Sequence, residues 1–230
     1  MNYYIKNLSE IYDDISKEII GLVNSKANPI LGLATGSSPI GIYERLVNAY
    51  NKGEVCFKNT KTFNLDEYVG LDSYNPNSYR YYMNNNLFNK IDIDINNTFL
   101  PSLENCDKYD DMIKTAGGID IMILGIGSNG HIGFNEPYTS FDSLTHVTDL
   151  TESTIKDNSR LFSNTDEVPK KAITMGIESI MRSKKIVMVI TGKNKKNIIK
   201  ELKKGIVHES IPASILYRHK NVDIYIDKSI

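Results

Sequence analysis

Cysteine is nearly absent from this chain of 230 residues, which has only Cys56 and Cys106. The two are too far apart for a CxxC motif and too few for a disulfide framework, which fits a reducing compartment. Long apolar runs are missing as well. No stretch approaches the roughly 18 residues of a membrane span, and the opening MNYYIKNLSEIYDD lacks an apolar segment behind a basic start. The expected location is cytoplasmic, with no membrane partner. Nor does one charge dominate, since 27 Lys and Arg stand against 28 Asp and Glu. No global field would hold the protein on nucleic acid, so any phosphate it takes must be held locally. His, Cys and carboxylates nowhere fall at metal-ligand spacing, and no metal is expected.

What is present suggests one α/β domain over residues 1–230. A hydrophobic content of 40% suffices for one sizeable core. Leu8, Ile11, Tyr12, Ile15, Ile19, Leu22 and Val23 recur at helical spacing, with Ser9 as the expected N-cap. The chain thus opens on an amphipathic helix. PILGLAT (29–35) reads as a strand running into a loop at Gly36, Ser37, Ser38 and Pro39. A helix patterned by Ile40, Tyr43, Leu46, Val47 and Tyr50 follows, with Pro39 suited to its first position and Gly53 to its exit. Further strands are expected near 61–65, 98–100, 120–126, 185–191 and 222–226. Their continuous apolar, β-branched character predicts a Rossmann-like, doubly wound, mostly parallel sheet with helices on both faces. Ligands gather outside the carboxyl ends of such strands. The polar stretch 140–170 reads as a mobile lid.

Three segments could carry chemistry at those strand ends. In ATGSSP (34–39), small residues let backbone N–H groups approach a ligand just before a helix N-terminus, as a phosphate cradle requires. The same residues could merely build a turn and a cap. In NLDEYVG (64–70), Asp66 and Glu67 are neighbours on a strand and point oppositely, so only one can face a cleft. A partly desolvated Asp there would be a stronger base than a free one. LGIGSNGHIGFNEP (124–137) contains G-x-G-x-x-G as Gly125, Gly127 and Gly130, with Asp149 near the distance of a ribose-binding acid. A dinucleotide fingerprint must open a helix directly, whereas this loop runs on through His131, Gly133, Asn135 and Pro137. It reads instead as a glycine-rich active-site loop. Glu136 could fix the tautomer of His131, leaving the other ring nitrogen to move protons. His146, His208 and His219 lack such company. Arg160 is a candidate phosphate ligand, whereas Lys193, Lys195 and Lys196 as a run suit a solvated helix face from which one lysine could turn inward.

With LGLATGSSP, TFNLDEYVGL, ILGIGSNGHIGFNEP, NSRLF, VPKKAITMGI and VITGKNKK in order, the sequence resembles the glucosamine-6-phosphate deaminase family over nearly its whole length. The resemblance implies a small amino-sugar phosphate as substrate and no cofactor. Asp66 would be the base at C2 and His131 the ring-opening acid/base, tuned by Asn129 and Glu136. Thr35, Gly36, Ser37, Ser38, Arg160 and Lys195 would line the sugar-phosphate site. Some members of the family carry Asp where this chain has Asn129. Asn keeps a hydrogen bond but cannot relay a proton, so an altered pH dependence is expected. Allosterically activated hexameric members place Arg and Lys where His146 and Thr148 stand here, and continue beyond the position of Ile230. The expectation is a monomer insensitive to N-acetylglucosamine 6-phosphate. Galactosamine 6-phosphate deamination, phosphogluconolactone hydrolysis and sugar-phosphate sensing are the alternatives. The lactonase needs no base at C2, and the sensor has no DNA-reading module here.

Overall fold

In the computed structural model of the chain, residues 1–151, 154–155 and 168–230 are described. The elements run β1 (Asn2–Lys6), α1 (Leu8–Ser25), β2 (Ile30–Leu33), α2 (Ile40–Asn51), β3 (Lys61–Asn64), β4 (Asp66–Tyr68), α3 (Tyr79–Asn86), β5 (Thr98–Phe99), α4 (Tyr109–Ala116) and β6 (Ile121–Leu124). They continue with β7 (His146–Asp149), β8 (Lys171–Thr174), α5 (Ile177–Met181), β9 (Lys185–Ile190), α6 (Lys196–Leu202) and β10 (Val222–Asp227).

Seven of these strands pair in the order β1-β10-β9-β6-β2-β3-β5, every pairing parallel. Adjacent residues feed opposite faces because side chains alternate along a strand. Ile121, Ile123, Val187 and Val189 pack with α1 and α2 through Ile11, Ile15, Ile42 and Leu46. Met122, Leu124, Ile186 and Met188 pack with Tyr109, Ile113, Ile198 and Leu202 of α4 and α6. Burial on both faces explains why these strands read as unbroken apolar runs. The order reverses beside β2, which sends β3 and β5 one way and β6, β9, β10 and β1 the other, and a crevice opens at such a switch point. Among the described residues, no helix is long and apolar enough to cross a membrane.

Several local expectations are corrected. The chain opens on β1, a parallel edge strand on β10, before the first helix. Asn7, not Ser9, caps α1, and its backbone N–H donates to Glu10 at 2.9 Å. Pro39 stands one residue ahead of α2 as its cap residue, while Gly53 (φ 73°) makes the turn after it. A second, antiparallel sheet, β4-β8-β7, takes up residues 146–149 of the stretch expected to be a lid. Much of the remainder of that stretch, 152–153 and 156–167, lies outside the described residues.

Candidate active site

A cleft of about 680 Å³ lies where β2, β3, β6 and β9 end, lined by the 34–38 loop, Leu65 and Asp66, the 125–128 turn, His131, and Thr191 to Lys195 except Lys193. Each wall is the loop that leaves a parallel strand. After β2 the chain turns at Gly36 (φ 90°), a conformation that favours glycine, and its carbonyl accepts the Tyr82 hydroxyl of α3 at 2.6 Å. The Ser38 and Thr191 hydroxyls lie 3.1 Å apart and join the loops of β2 and β9. Thr35, Gly36, Ser37 and Ser38 all face the cleft, directly ahead of the α2 N-terminus. Lys195 lines it too, whereas Lys193 and Lys196 are exposed. Arg160 lies outside the described residues.

Asp66 and Glu67 separate as their strand geometry requires. Asp66 lines the cleft yet is only 7% exposed, and its pairing opposite Thr174 of β8 holds the short β4 in place. Burial, with the adjacent Glu67 charge, pushes its pKa up to about 8. Glu67 turns away and accepts the backbone N–H groups of Tyr68, Tyr79 and Arg80 at 2.9, 2.9 and 2.8 Å. It thereby ties β4 to the first turn of α3, from which Tyr79 reaches the cleft. Burial raises the Glu67 pKa too, opposed by those three N–H groups.

The loop after β6 brings His131 against the bare backbone of Gly127, where a Cβ would stand 2.3 Å from the imidazole. Gly133 (φ 57°) passes beside Asp66, since a Cβ there would lie 3.4 Å from its Oδ2. Buried Asn135 pins the loop by donating to the carbonyls of Ile132 and Met175, both at 2.8 Å. Behind His131, Asn129 uses both ends of its amide. Its Nδ2 donates to Glu136 Oε2 at 2.7 Å and its Oδ1 accepts the His131 backbone N–H at 3.2 Å. An ionised Asp at 129 could not make the first of these bonds. Glu136 Oε1 stands 3.5 Å from His131 Nδ1. Burial alone would raise the Glu136 pKa, but His131, the Thr154 hydroxyl and the Asn129 amide outweigh it and pull the carboxyl down to about 2.

The expected residues Thr35, Gly36, Ser37, Ser38, Asp66, His131 and Lys195 thus share one cleft, with Asn129 and Glu136 as supports beneath the imidazole. Tyr79, Thr154 and Thr191 also line it and were not expected. Thr191 had a signal, its place directly after the apolar strand β9. Tyr79 and Thr154 arrive by tertiary contact alone. The other histidines bond away from the cleft, His146 with the Leu144 carbonyl and His208 with Ser210 locally, and His219 with the more distant Ser183 carbonyl. Among the described residues, no group of three His, Cys, Asp or Glu could hold a metal ion. A shallower groove beside β3 and β5, lined by Lys61, Phe63, Phe99 and Met112, carries no comparable acid/base set.

The chain is 50% identical to the glucosamine-6-phosphate deaminase of Clostridium novyi, over 97% of this chain and 95% of that protein. It is also 50% identical to the enzyme of that name from Oceanobacillus iheyensis, over 96% and 92%. A solved monomeric glucosamine-6-phosphate deaminase superposes with a TM-score of 0.96 at 42% identity, covering 99% of this chain and 98% of the other. The 6-phosphogluconolactonase of Thermotoga maritima superposes at 0.74 over 98% of both chains, but at 23% identity it shows a shared fold alone. The family model described as glucosamine-6-phosphate isomerases/6-phosphogluconolactonase matches residues 7–225, and with half its residues shared with named deaminases along almost its whole length, the chain belongs to that family.

Proposed function

We propose that this chain deaminates glucosamine 6-phosphate to fructose 6-phosphate and ammonia, with Asp66 and His131 as its proton-transfer pair. The observation that carries the reading is a buried carboxylate with a pKa near 8 sharing a cleft with an imidazole and a glycine-serine loop at a helix N-terminus. Proton abstraction beside a carbonyl needs such a base, and the loop suits a phosphate. Lys195, and Arg160 as the resemblance implies, would add cationic contacts to that phosphate.

His131 moves a proton between the ring oxygen and the C1 hydroxyl as the sugar opens. Asp66 takes the C2 proton, the C2 electrons form a C1–C2 double bond, and the carbonyl pair moves to O1, which takes a proton to give an enolamine. That proton is balanced by the one the amine loses when the imine forms. A proton returned to C1 leaves an imine at C2, to which water adds, and ammonia departs as the C2 ketone forms. The sum consumes one water, balances without an oxidant or reductant, and needs no cofactor. Asn129 and Glu136 orient and charge-balance the imidazole throughout.

The direct test measures ammonia and fructose 6-phosphate released from glucosamine 6-phosphate with EDTA present, and galactosamine 6-phosphate in parallel. Equimolar products from the gluco sugar, unaffected by EDTA, are expected. Turnover of the galacto sugar alone would keep the chemistry and change the substrate, and silence on both would sink the reading.

A further inference from the structure

The Glu136 carboxylate serves more donors than the imidazole it is expected to hold. Oε2 accepts Asn129 Nδ2 at 2.7 Å. Oε1 accepts the Thr154 hydroxyl at 2.5 Å and the Thr151 hydroxyl at 3.3 Å. His131 Nδ1 faces this same Oε1 from 3.5 Å and, though buried, makes no hydrogen bond. A carboxylate oxygen has two acceptor sites, of which the Thr154 hydroxyl takes one, while the single Thr151 proton is shared between the other and Thr154 Oγ1. The two threonines also bond each other, Thr151 Oγ1 to Thr154 Oγ1 at 3.0 Å and Thr154 N–H to Thr151 Oγ1 at 3.2 Å, so their hydroxyls are held in place. Thr154 is buried and lines the cleft.

We infer that Thr154 is a positioning residue whose hydroxyl, by occupying Glu136 Oε1, keeps His131 Nδ1 from a full hydrogen bond to that carboxylate. A His–carboxylate pair in full contact favours the imidazolium, which holds its proton too tightly to return it to a sugar oxygen. The short Thr154 bond spreads the carboxylate charge and leaves the imidazole weakly tethered. Besides Glu136, the charged groups on the walls around His131 among the described residues are Asp66 and Lys195, and the substitution alters neither side chain. The consequence for turnover rests on the deaminase reading. The effect on the imidazole does not.

The test is an NMR titration of the His131 ring in the ligand-free protein, followed by kcat and KM against pH. Thr154→Val removes the hydroxyl at nearly constant shape and should raise the His131 midpoint by about 0.5–1 unit, with kcat falling more than KM changes. Thr154→Ser keeps the hydroxyl and should restore both. Thr154→Ala removes the same hydroxyl should the valine variant fold poorly. An unmoved His131 midpoint in the valine and alanine variants would overturn the inference, as would a serine variant shifted as far as valine. The titration uses no substrate, so a protein inactive on glucosamine 6-phosphate would overturn the proposed function while leaving this result to be judged by itself.

Discussion

Asp66 is a carboxylate whose position costs it charge. Its ordinary pKa is 3.8 and burial, with Glu67 beside it, lifts this to about 8 in the fold. Because the folded value is the higher, Asp66 favours the fold fully below pH 4, and that contribution is lost as pH rises through 8. Two outcomes follow for Asp66→Asn. The amide cannot take the C2 proton, so kcat should drop by about 10²–10⁴-fold while sugar-phosphate binding survives. The variant should also gain on the parent by ~1 kcal/mol or more in urea unfolding between pH 5 and 9, since it has nothing to ionise. A variant of undiminished kcat would remove Asp66 from the base role. Glu136 has the opposite sign. Held down to about 2, it supports the fold above its ordinary 4.5, and the support is lost as pH falls toward 2. The pairing of Asn129 with Glu136 could not be read from a glycine-rich string, because which end of an amide meets a carboxylate depends on a loop path that brings residues seven apart together.

The elements that build the cleft are loops made rigid by close packing. Gly127 has an ordinary backbone, so its role is space for the imidazole of His131, 2.3 Å from where a Cβ would stand. Gly127→Ala should displace that ring and lower kcat at least ~10-fold with only a small change in thermal midpoint, measurable by steady-state kinetics beside calorimetry. A fully active variant would show that the ring position is uncritical. Long apolar strands such as β6 and β9 were legible because both their faces are buried, and apolar periodicity is the strongest local signal. Of the second sheet, Asp66 and Glu67 read as the end of the preceding strand, and His146–Asp149 and Lys171–Thr174 do not read as strands. Asp66–Tyr68 and His146–Asp149 become strands by pairing with Lys171–Thr174, more than twenty residues distant from either, and such pairing leaves little trace in local pattern. The edge strand β1 escaped for a related reason, since only one of its sides is paired and its residues remain partly exposed.

At the scale of the molecule, the expected insensitivity to an effector rests on β7. This strand presents His146 and Thr148 where activated hexameric relatives are expected to carry Arg and Lys, and His146 bonds its ring to the Leu144 carbonyl at 2.7 Å. A phosphate effector would meet neither a guanidinium nor an ammonium group at these two positions. Saturation with glucosamine 6-phosphate should therefore be hyperbolic and unchanged by N-acetylglucosamine 6-phosphate. A sigmoidal curve that the effector makes hyperbolic would overturn this expectation. Local physics was enough to order the chain into alternating strands and helices, to put glycine loops at strand ends, and to mark Asp66, His131 and Glu136 as reactive types, because burial and backbone geometry act through near neighbours. Only the folded chain decided that Asp66 would lose its water while Glu67 gained three N–H partners, and that Thr154 would reach Glu136 across eighteen residues. Desolvation and hydrogen-bond competition depend on every group that surrounds an atom, and those groups come together only when distant segments pack.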